Sequence, residues 1–297
     1  MRVAAVQTTT GPDRTHNLSA AGALVEEAAG AGASLVVLPE YFSVAGGPDH
    51  LRRYAEPLTG PTVTWASGLA RRLGIHLVAG SMPEQPPDGS RTDGRLFNTS
   101  CLISPTGAIQ AVYRKIHLFD VSVEGAASRE SATMAPGDEL VVSPLGSSTE
   151  EDRGSAPVVG LSLCYDLRFP ELYRILTLAG ATVMVVPAAF TAATGPAHWE
   201  LLLRARAVEN QVFVIGAGQV GTLPTGMPPC YGHSMVVDPW GSILAERTDP
   251  NPGVVLAELD LDAQLKIRSE LPVLSNRRPD AYRWPDGESG GDGRTDR

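Results

Sequence analysis

Residues 159–172 read VGLSLCYDLRFPEL, and this stretch changes from an apolar run to a helix start around one cysteine. The small and branched apolar residues before Cys164 are typical of a buried strand, and Pro170 with Glu171 is typical of the first turn of a helix. Backbone N–H groups and the positive end of a helix at such a corner favour a thiolate and can hold an oxyanion. Cys164 is therefore a candidate nucleophile. A small cysteine that packs in the core fits this segment equally well.

Short apolar runs alternate with amphipathic segments along the whole chain, which predicts an α/β fold. The predicted strands cover residues 2–7, 34–39, 75–81, 97–104, 108–114, 158–164, 182–187, 212–217, 232–237, 242–246 and 254–260. The predicted helices cover residues 17–31, with Asn17 as N-cap, 62–73, 170–180 and 196–211.

Two segments interrupt this alternation. Residues 84–95 and 146–156 are rich in Pro, Gly, Ser and charge, and we expect both to be surface insertions. Because the apolar pattern resumes in the same style after each one, the sequence predicts a single domain over residues 1–285. Residues 286–297 are predicted to form a polar, flexible C-terminal tail.

Composition narrows the classes of function. The chain has 297 residues, 43% of them hydrophobic, and a formal charge of −9, which argues against nucleic acid as a partner because phosphates require a basic surface. No run of about 18 apolar residues suggests a membrane span. The predicted strand that follows Met1 directly leaves no signal peptide, so we expect a cytoplasmic protein. A small molecule is the favoured partner.

The three cysteines are Cys101, Cys164 and Cys230, and their spacing contains no CxxC pair. Neither a disulfide framework nor a metal site is therefore predicted. Cys101 lies within a predicted strand and is expected to pack there. Cys230 follows two prolines in a loop and is expected to be partly exposed, without a neighbouring base to activate it.

A second chemical feature is Glu40, which follows a buried strand in the segment LVVLPEYF, residues 35–42. The apolar strand and the two aromatic residues remove water from this carboxylate and disfavour its charged form, which suits a general base. A strand-ending glutamate in a salt bridge is the alternative interpretation.

The third feature is Lys115, within VYRKIHLFD at residues 112–120. Since side chains alternate along a strand, Arg114 and Lys115 face opposite sides, and one of the two cations should point inward. A buried cation needs a carboxylate nearby. A surface basic pair with partly buried stems is the alternative.

Together, Glu40, Lys115 and Cys164 resemble the catalytic triad of the nitrilase superfamily of carbon–nitrogen hydrolases. The resemblance covers nearly the whole chain and rests on six segments: VVLPEYF, YRKIHLFDV, GLSLCYDLRFPELYR, TGPAHWELLLRARAVENQ, YGHSMVVDPWG and LPVLSNRRPDAY. It implies a four-layer α-β-β-α sandwich, a homodimer or higher homo-oligomer, and no cofactor. It also implies that Glu40 is the base, Cys164 the nucleophile and Lys115 an oxyanion stabiliser.

Two of these segments look like the branch that contains omega-amidases and deaminated glutathione amidases. This likeness implies an amidase that hydrolyses a small linear amide bearing a carboxylate to acid and ammonia through a cysteine thioester. A fourth catalytic residue is implied between the lysine and the cysteine, just before a Pro-Gly pair. Glu130 in RESATMAPGDEL fits that position, and Glu124 is the fallback.

The substrate side of the site follows from the same resemblance. The predicted substrate-binding residues are Tyr165, Arg168, Phe190 and Thr194. The backbone N–H of Tyr165 would share the oxyanion with Lys115, and the planar guanidinium of Arg168 suits a carboxylate. Alternatively, Arg168 pairs with Asp166 or Glu171 and fastens the helix start. His198 lies near the same loop and is left outside the catalytic set.

Three other functions stay open from the sequence. The same thiolate could attack a nitrile carbon, as in a true nitrilase, or an N-carbamoyl amino acid. A catalytically silent scaffold of the same fold is the alternative outside enzymes, although intact acidic, basic and thiol residues argue against it.

Overall fold

Two six-stranded sheets pack face to face in the computed structural model of the chain, which describes residues 1–87, 93–146, 156–223 and 227–282. The strands are, in chain order, β1 (Arg2–Gln7), β2 (Leu35–Val37), β3 (His76–Glu84), β4 (Phe97–Ile103), β5 (Ile109–Arg114), β6 (Asp120–Val121), β7 (Ser128–Arg129), β8 (Val142–Pro144), β9 (Val158–Leu161), β10 (Val183–Ala188), β11 (Phe213–Gly218), β12 (Val220–Gly221), β13 (Cys230–Tyr231), β14 (Met235–Val237), β15 (Ile243–Glu246) and β16 (Gly253–Glu258). The α-helices are α1 (Arg14–Gly30), α2 (Pro48–Tyr54), α3 (Pro61–Leu73), α4 (Pro170–Leu178), α5 (Gly195–Asn210) and α6 (Leu261–Glu270).

The two sheets repeat the same plan. The first has the order β16-β1-β2-β3-β4-β5, with β1, β2 and β3 parallel and the other pairs antiparallel. The second has the order β15-β14-β11-β10-β9-β8, with β9, β10 and β11 parallel. Parallel strands end at one edge of a sheet, which is where residues that follow them are brought together.

Alternating side chains build the core in layers. Val3 of β1 and Val183 of β10 belong to one apolar cluster between the sheets. Ala4 of β1 turns to the opposite face, into a cluster shared with α1 and α3, and Met184 of β10 turns to Trp199 of α5. The layers are therefore helix, sheet, sheet, helix, which confirms the predicted four-layer α-β-β-α sandwich.

Within the described ranges, none of the helices has both the length and the apolar character needed to cross a bilayer.

The start of α1 differs from the prediction. The helix begins at Arg14, and the side chain of Asp13 caps it by accepting a 2.7 Å hydrogen bond from the backbone N–H of His16. Asn17 is therefore not the N-cap. It is buried within the helix, where its side chain accepts from the N–H of Gly11 at 2.8 Å and donates to the Gly11 carbonyl at 2.9 Å.

The predicted insertion at residues 84–95 begins too early. Glu84 is the last residue of β3 and is only 1% exposed, because Arg114 donates two hydrogen bonds of 2.7 Å to its carboxylate and Thr99 donates another. A buried charge that is paired in this way belongs to the strand, not to a surface loop. Residues 88–92, 147–155 and the predicted tail at 286–297 lie outside the described residues.

Candidate active site

The residues singled out in the sequence each follow a strand. Glu40 comes after β2, Lys115 directly after β5, and Cys164 three residues after the end of β9. Glu130 opens a short 3-10 helix, Glu130–Ala132. All four line one cavity of about 250 Å³. The fold thus brings the four predicted catalytic residues to one place, and it does so from both sheets.

Lys115 lies between the two carboxylates. Its Nζ is 2.9 Å from Glu40 Oε1 and 2.9 Å from Glu130 Oε2. Lys115 is only 2% exposed, so the alternative of a surface basic pair is wrong. Arg114 faces the other way and binds Glu84. Glu124 is exposed and does not line the cavity, so Glu130 is the glutamate that accompanies Lys115.

Charge pairing decides the protonation states of this cluster. Burial alone would lower the pKa of Lys115, but the Glu130 and Glu40 carboxylates outweigh it and hold the pKa well above its ordinary value. Burial alone would raise the pKa of Glu130, yet the charge and hydrogen bond of Lys115, with the N–H of Phe119, lower it. The pair is therefore an ammonium and a carboxylate at neutral pH.

Asn98 is a member of the cluster that sequence reasoning missed. Its Nδ2 lies 2.9 Å from Glu40 Oε1, 3.0 Å from Glu130 Oε1 and 3.0 Å from the Tyr41 hydroxyl. Tyr41 in turn donates to Glu130 Oε1 at 3.1 Å. The signal in the sequence is the polar run NTS inside strand β4, since polar residues in a buried strand need specific partners.

Hydrogen-bond counting separates the roles of the two glutamates. An ionised carboxylate offers about four acceptor positions. Glu130 uses all four, with Tyr41, Asn98, Lys115 and the N–H of Phe119. Glu40 accepts from Lys115 and Asn98 on Oε1 but only from the N–H of Ala189 on Oε2. The fourth position of Glu40 takes the hydrogen bond of the Cys164 thiol, which suits a base for that thiol, whereas Glu130 is suited to hold Lys115.

Cys164 sits on a strained corner. Strand β9 ends at Leu161, earlier than predicted, and Cys164 opens a 3-10 helix, Cys164–Arg168, with φ of +44°. A non-glycine residue at positive φ is uncommon and is kept only where the surroundings impose it. Cys164 is 7% exposed and borders the cavity, so the corner directs the thiol towards Glu40 and Lys115.

Burial opposes the thiolate that the backbone of this corner favours. Burial raises the pKa of the Cys164 thiol well above its ordinary value, and the charge and hydrogen bond of Glu40 raise it further, while Lys115 and the N–H of Ala189 act in the opposite direction. The thiol is neutral until a base removes its proton.

Arg168 reaches the same cavity from the end of that 3-10 helix. Its guanidinium lies over the rings of Phe190, at 5.2 Å, and Tyr165, at 5.8 Å. It contacts His198 Nδ1 at 3.2 Å and donates to Thr194 Oγ1 at 3.4 Å. Within the described ranges no carboxylate pairs with Arg168, so pairing with Asp166 or Glu171 is not what the structure shows.

The other two cysteines are buried. Cys101 is 1% exposed and packs in β4 as predicted, and burial raises its pKa to about 12. Cys230 is 5% exposed, so the expectation of partial exposure is wrong. Burial raises its pKa as well. Across the described residues, no cluster of three or more His, Cys, Asp or Glu is arranged to hold a metal ion.

Comparison with known proteins places the chain in a family. The family model for carbon-nitrogen hydrolases matches residues 2–267. The chain is 42% identical over 282 residues to deaminated glutathione amidase from Bos taurus, covering 94% of this chain and 83% of the relative. It is 40% identical over 282 residues to an omega-amidase from Danio rerio, covering 95% and 96% of the two chains.

Solved structures of similar proteins agree with this family assignment. A Saccharomyces cerevisiae member of branch 10 of the nitrilase superfamily superposes with a TM-score of 0.81 at 33% identity, over 95% of this chain and 97% of that one. An amidase from Nesterenkonia sp. AN1 superposes with a TM-score of 0.72 at 29% identity, over 94% of each chain, and in that structure the acetamide moiety of fluoroacetamide is bound covalently to the active-site cysteine. The chain therefore belongs to the carbon–nitrogen hydrolase family of the nitrilase superfamily and is a hydrolase of carbon–nitrogen bonds.

Proposed function

We propose that this enzyme is an amidase for a small linear amide that carries a carboxylate, of the omega-amide or deaminated glutathione type, and that it works through a thioester on Cys164. The observation that carries this proposal is the Cys164 thiol on the wall of the cavity, hydrogen-bonded to the buried Glu40, which also binds Lys115. The names of the two relatives support the substrate class.

The first step is attack on the amide. Glu40 takes the proton of the thiol as the sulfur bonds to the carbonyl carbon, which becomes a tetrahedral oxyanion. Lys115 has three N–H bonds, of which two bind Glu40 and Glu130, and the third is left for this oxyanion. The N–H of Tyr165, in the first turn of a 3-10 helix, is the second donor. Each such donor lowers a barrier by about 3 to 4 kcal/mol in other enzymes.

The second step releases the nitrogen. Glu40 gives the proton to the departing amine as the carbon–nitrogen bond breaks, and a thioester with Cys164 remains. Glu40 then takes a proton from water, whose oxygen attacks the thioester, and it returns that proton to the sulfur as the carbon–sulfur bond breaks, which frees the acid and the thiol. Glu130 keeps Lys115 in place through both steps and needs no change in its own protonation.

Substrate choice rests on Arg168. Its guanidinium is half-buried in the cavity wall, and it has no carboxylate partner among the residues that the structure describes. A planar cation in this state is suited to bind a carboxylate through two parallel hydrogen bonds. Phe190 and Tyr165 form the aromatic walls on which the guanidinium lies, and Thr194 helps to orient it.

The test compares two amides that differ in one charge. Succinamate carries a carboxylate opposite its amide, and butyramide ends in a methyl group. We expect the enzyme to release ammonia from succinamate with the higher kcat/KM. Arg168→Gln should lower kcat/KM for succinamate by about 10 to 100 fold, because a hydrogen bond to a charged group contributes about 1.5 to 3 kcal/mol. Its effect on butyramide should be small.

Cys164→Ala is the control for the chemistry. This variant should remain folded and release no ammonia from either amide, and retained hydrolysis would overturn the thioester scheme. A simple aliphatic nitrile and an N-carbamoyl amino acid complete the panel. If either is hydrolysed faster than succinamate, the enzyme is a nitrilase or a carbamoylase instead.

We also propose that the chain forms a homodimer through α4 and α5. Four apolar side chains on these helices are largely exposed: Ile175, Leu178, Leu201 and Val208. Exposed apolar side chains on two packed helices are suited to an interface between copies of the chain. Light scattering should give the mass of two chains, and a monomer at micromolar concentration would contradict the proposal.

A further inference from the structure

A buried carboxylate that takes no part in the proposed chemistry, Asp166, lies two residues after Cys164 in the same 3-10 helix. Asp166 is fully buried, and it does not line the cavity. Within the described ranges no lysine or arginine forms an ion pair with it, and the His117 ring is its neighbour. Burying a carboxylate is costly, so a side chain in this place requires an explanation beyond packing.

All four acceptor positions of Asp166 are occupied. Oδ2 accepts from the Tyr113 hydroxyl at 2.6 Å and from the backbone N–H of Leu163 at 2.8 Å. Oδ1 accepts from the backbone N–H of His117 at 3.0 Å and lies 2.8 Å from His117 Nδ1. An ionised carboxylate only accepts hydrogen bonds, so each of these four groups acts as a donor.

These donors come from both sides of the active site. Tyr113 and His117 stand two residues before and two residues after Lys115, at the end of the first sheet. Leu163 directly precedes Cys164 in the second sheet's corner. Apolar packing between the sheets has no direction, whereas short hydrogen bonds to one rigid carboxylate specify distance and angle. Asp166 therefore connects the strand end that carries Lys115 to the corner that carries Cys164.

The same carboxylate holds the strained corner. The Asp166 N–H donates to the Leu163 carbonyl at 2.9 Å, while the Leu163 N–H donates to the Asp166 side chain. This closed pair of hydrogen bonds surrounds Cys164, whose φ is +44°. The ring of His117 also stacks on Phe169, with 3.6 Å between centroids. This contact joins the Lys115 segment to the end of the 3-10 helix that begins at Cys164.

We propose that Asp166 is a positioning residue that sets the spacing between the Lys115 ammonium and the Cys164 thiol. It acts through its hydrogen bonds to Tyr113 and His117. This proposal rests on the proposed function, because it assumes that Lys115 and Cys164 act on one carbonyl group. Asp166 itself does not touch the substrate.

The test replaces the carboxylate by an amide of the same shape. Asp166→Asn turns one acceptor into an NH₂ group that faces existing donors. We expect kcat for succinamate, per mole of folded enzyme, to fall about 100 fold while KM changes less than about threefold, because misplacement by about 1 Å costs a factor of this size. Tyr113→Phe removes one hydroxyl without changing the packing, and it should lower kcat by about 10 fold.

Glu56→Gln is the matched control. Glu56 is a buried carboxylate that accepts from the N–H of Thr62 and from Arg14, both at 2.9 Å, and it does not line the cavity. This variant should lose stability and keep its kcat per folded molecule.

If Asp166→Asn and Tyr113→Phe lose only stability, as Glu56→Gln does, the positioning role is wrong. If Asp166→Asn does not fold, Tyr113→Phe alone decides between the two results. Retained turnover in Cys164→Ala would instead overturn the proposed function, so the two failures are distinguishable.

Discussion

At the scale of single residues, the protonation of Lys115 and of Cys164 depends on the carboxylates beside them. Lys115 stays an ammonium because Glu130 and Glu40 are beside it, and the Cys164 thiol stays protonated because it is buried beside Glu40. The resting site is thus free of a reactive thiolate. In the proposed mechanism, Glu40 removes the thiol proton as the sulfur attacks the carbonyl carbon.

Glu40→Gln should separate alkylation from amide hydrolysis. Turnover of succinamate should fall by about 10² to 10⁴ fold, since the amine can no longer receive a proton. Alkylation of Cys164 by iodoacetamide at mildly alkaline pH should persist, because solvent hydroxide can take the thiol proton, iodide leaves without one, and the loss of the Glu40 charge lowers the pKa of the thiol. The labelled site is identified by mass spectrometry.

Cys164→Ala is the control for labelling, since buried Cys101 and Cys230 should not react in the folded protein. If Glu40→Gln keeps its turnover, the role of Glu40 as base and acid is wrong. Parallel loss of alkylation in a folded variant would show instead that Glu40 holds the thiol in position.

At the scale of secondary-structure elements, the strand ends position the chemistry through close backbone contacts. Gly80 of β3 lies against the carbonyl groups of Leu38 and Pro39, and a Cβ at this position would overlap both. Next to it, Ser81 Oγ accepts a 2.9 Å hydrogen bond from the N–H of Tyr41. The segment that carries Glu40 is therefore held by β3 at a distance that only glycine allows.

Gly80→Ala should lower both stability and activity. We expect a loss of about 1 to 3 kcal/mol in the free energy of unfolding, as for other overpacked sites, together with a lower kcat because Glu40 is displaced. Urea unfolding and ammonia release measure the two effects.

Gly68→Ala is its matched control. Gly68 lies in α3, where a Cβ would meet nothing within 4 Å, so this variant should gain up to about 1 kcal/mol from helix propensity. If the two glycine variants changed the free energy of unfolding and the rate of ammonia release equally, β3 would not approach the Glu40 segment as closely as stated.

Sequence patterns predicted the elements with strong local signals better than those without them. Helix α3 was predicted to within one residue, because its apolar face and Gly74 at its end, in the left-handed conformation, are local signals. Helices α2 and α6 were missed. Helix α6 buries only Gln264 among its residues, so it lacks the apolar periodicity on which such predictions depend.

At the scale of the whole molecule, buried tyrosines make the stability of the folded state depend on pH in the alkaline range. Burial is the largest cause that raises the pKa of Tyr41, Tyr113 and Tyr173 above the ordinary value, and nearby carboxylates raise it further. The unfolded chain releases these protons near pH 10, before the folded protein does. This part of the stability is therefore complete below about pH 10 and is lost as the pH rises towards the folded values.

The protein should accordingly unfold cooperatively in alkali above about pH 10. The tyrosinate absorbance at 295 nm should rise together with the loss of far-UV circular dichroism, since the buried hydroxyls ionise on unfolding. Tyrosine ionisation that is complete while the dichroism is unchanged would show that these side chains are accessible in the folded state.

The sequence by itself determined the α/β layering, the corner at Cys164 and the order of Glu40, Lys115 and Cys164, because these depend on periodicity and on residues close in the chain. The family likeness followed from the same local segments. Only the tertiary structure decided that Asn98 joins the two glutamates, that Arg168 lacks a carboxylate partner among the described residues, and that the thiol is protonated at rest. The physical reason is distance along the chain: Glu40 accepts from an N–H 149 residues away. No local pattern specifies such a contact, and the protonation state of a group depends on every charge and on the burial that such contacts create.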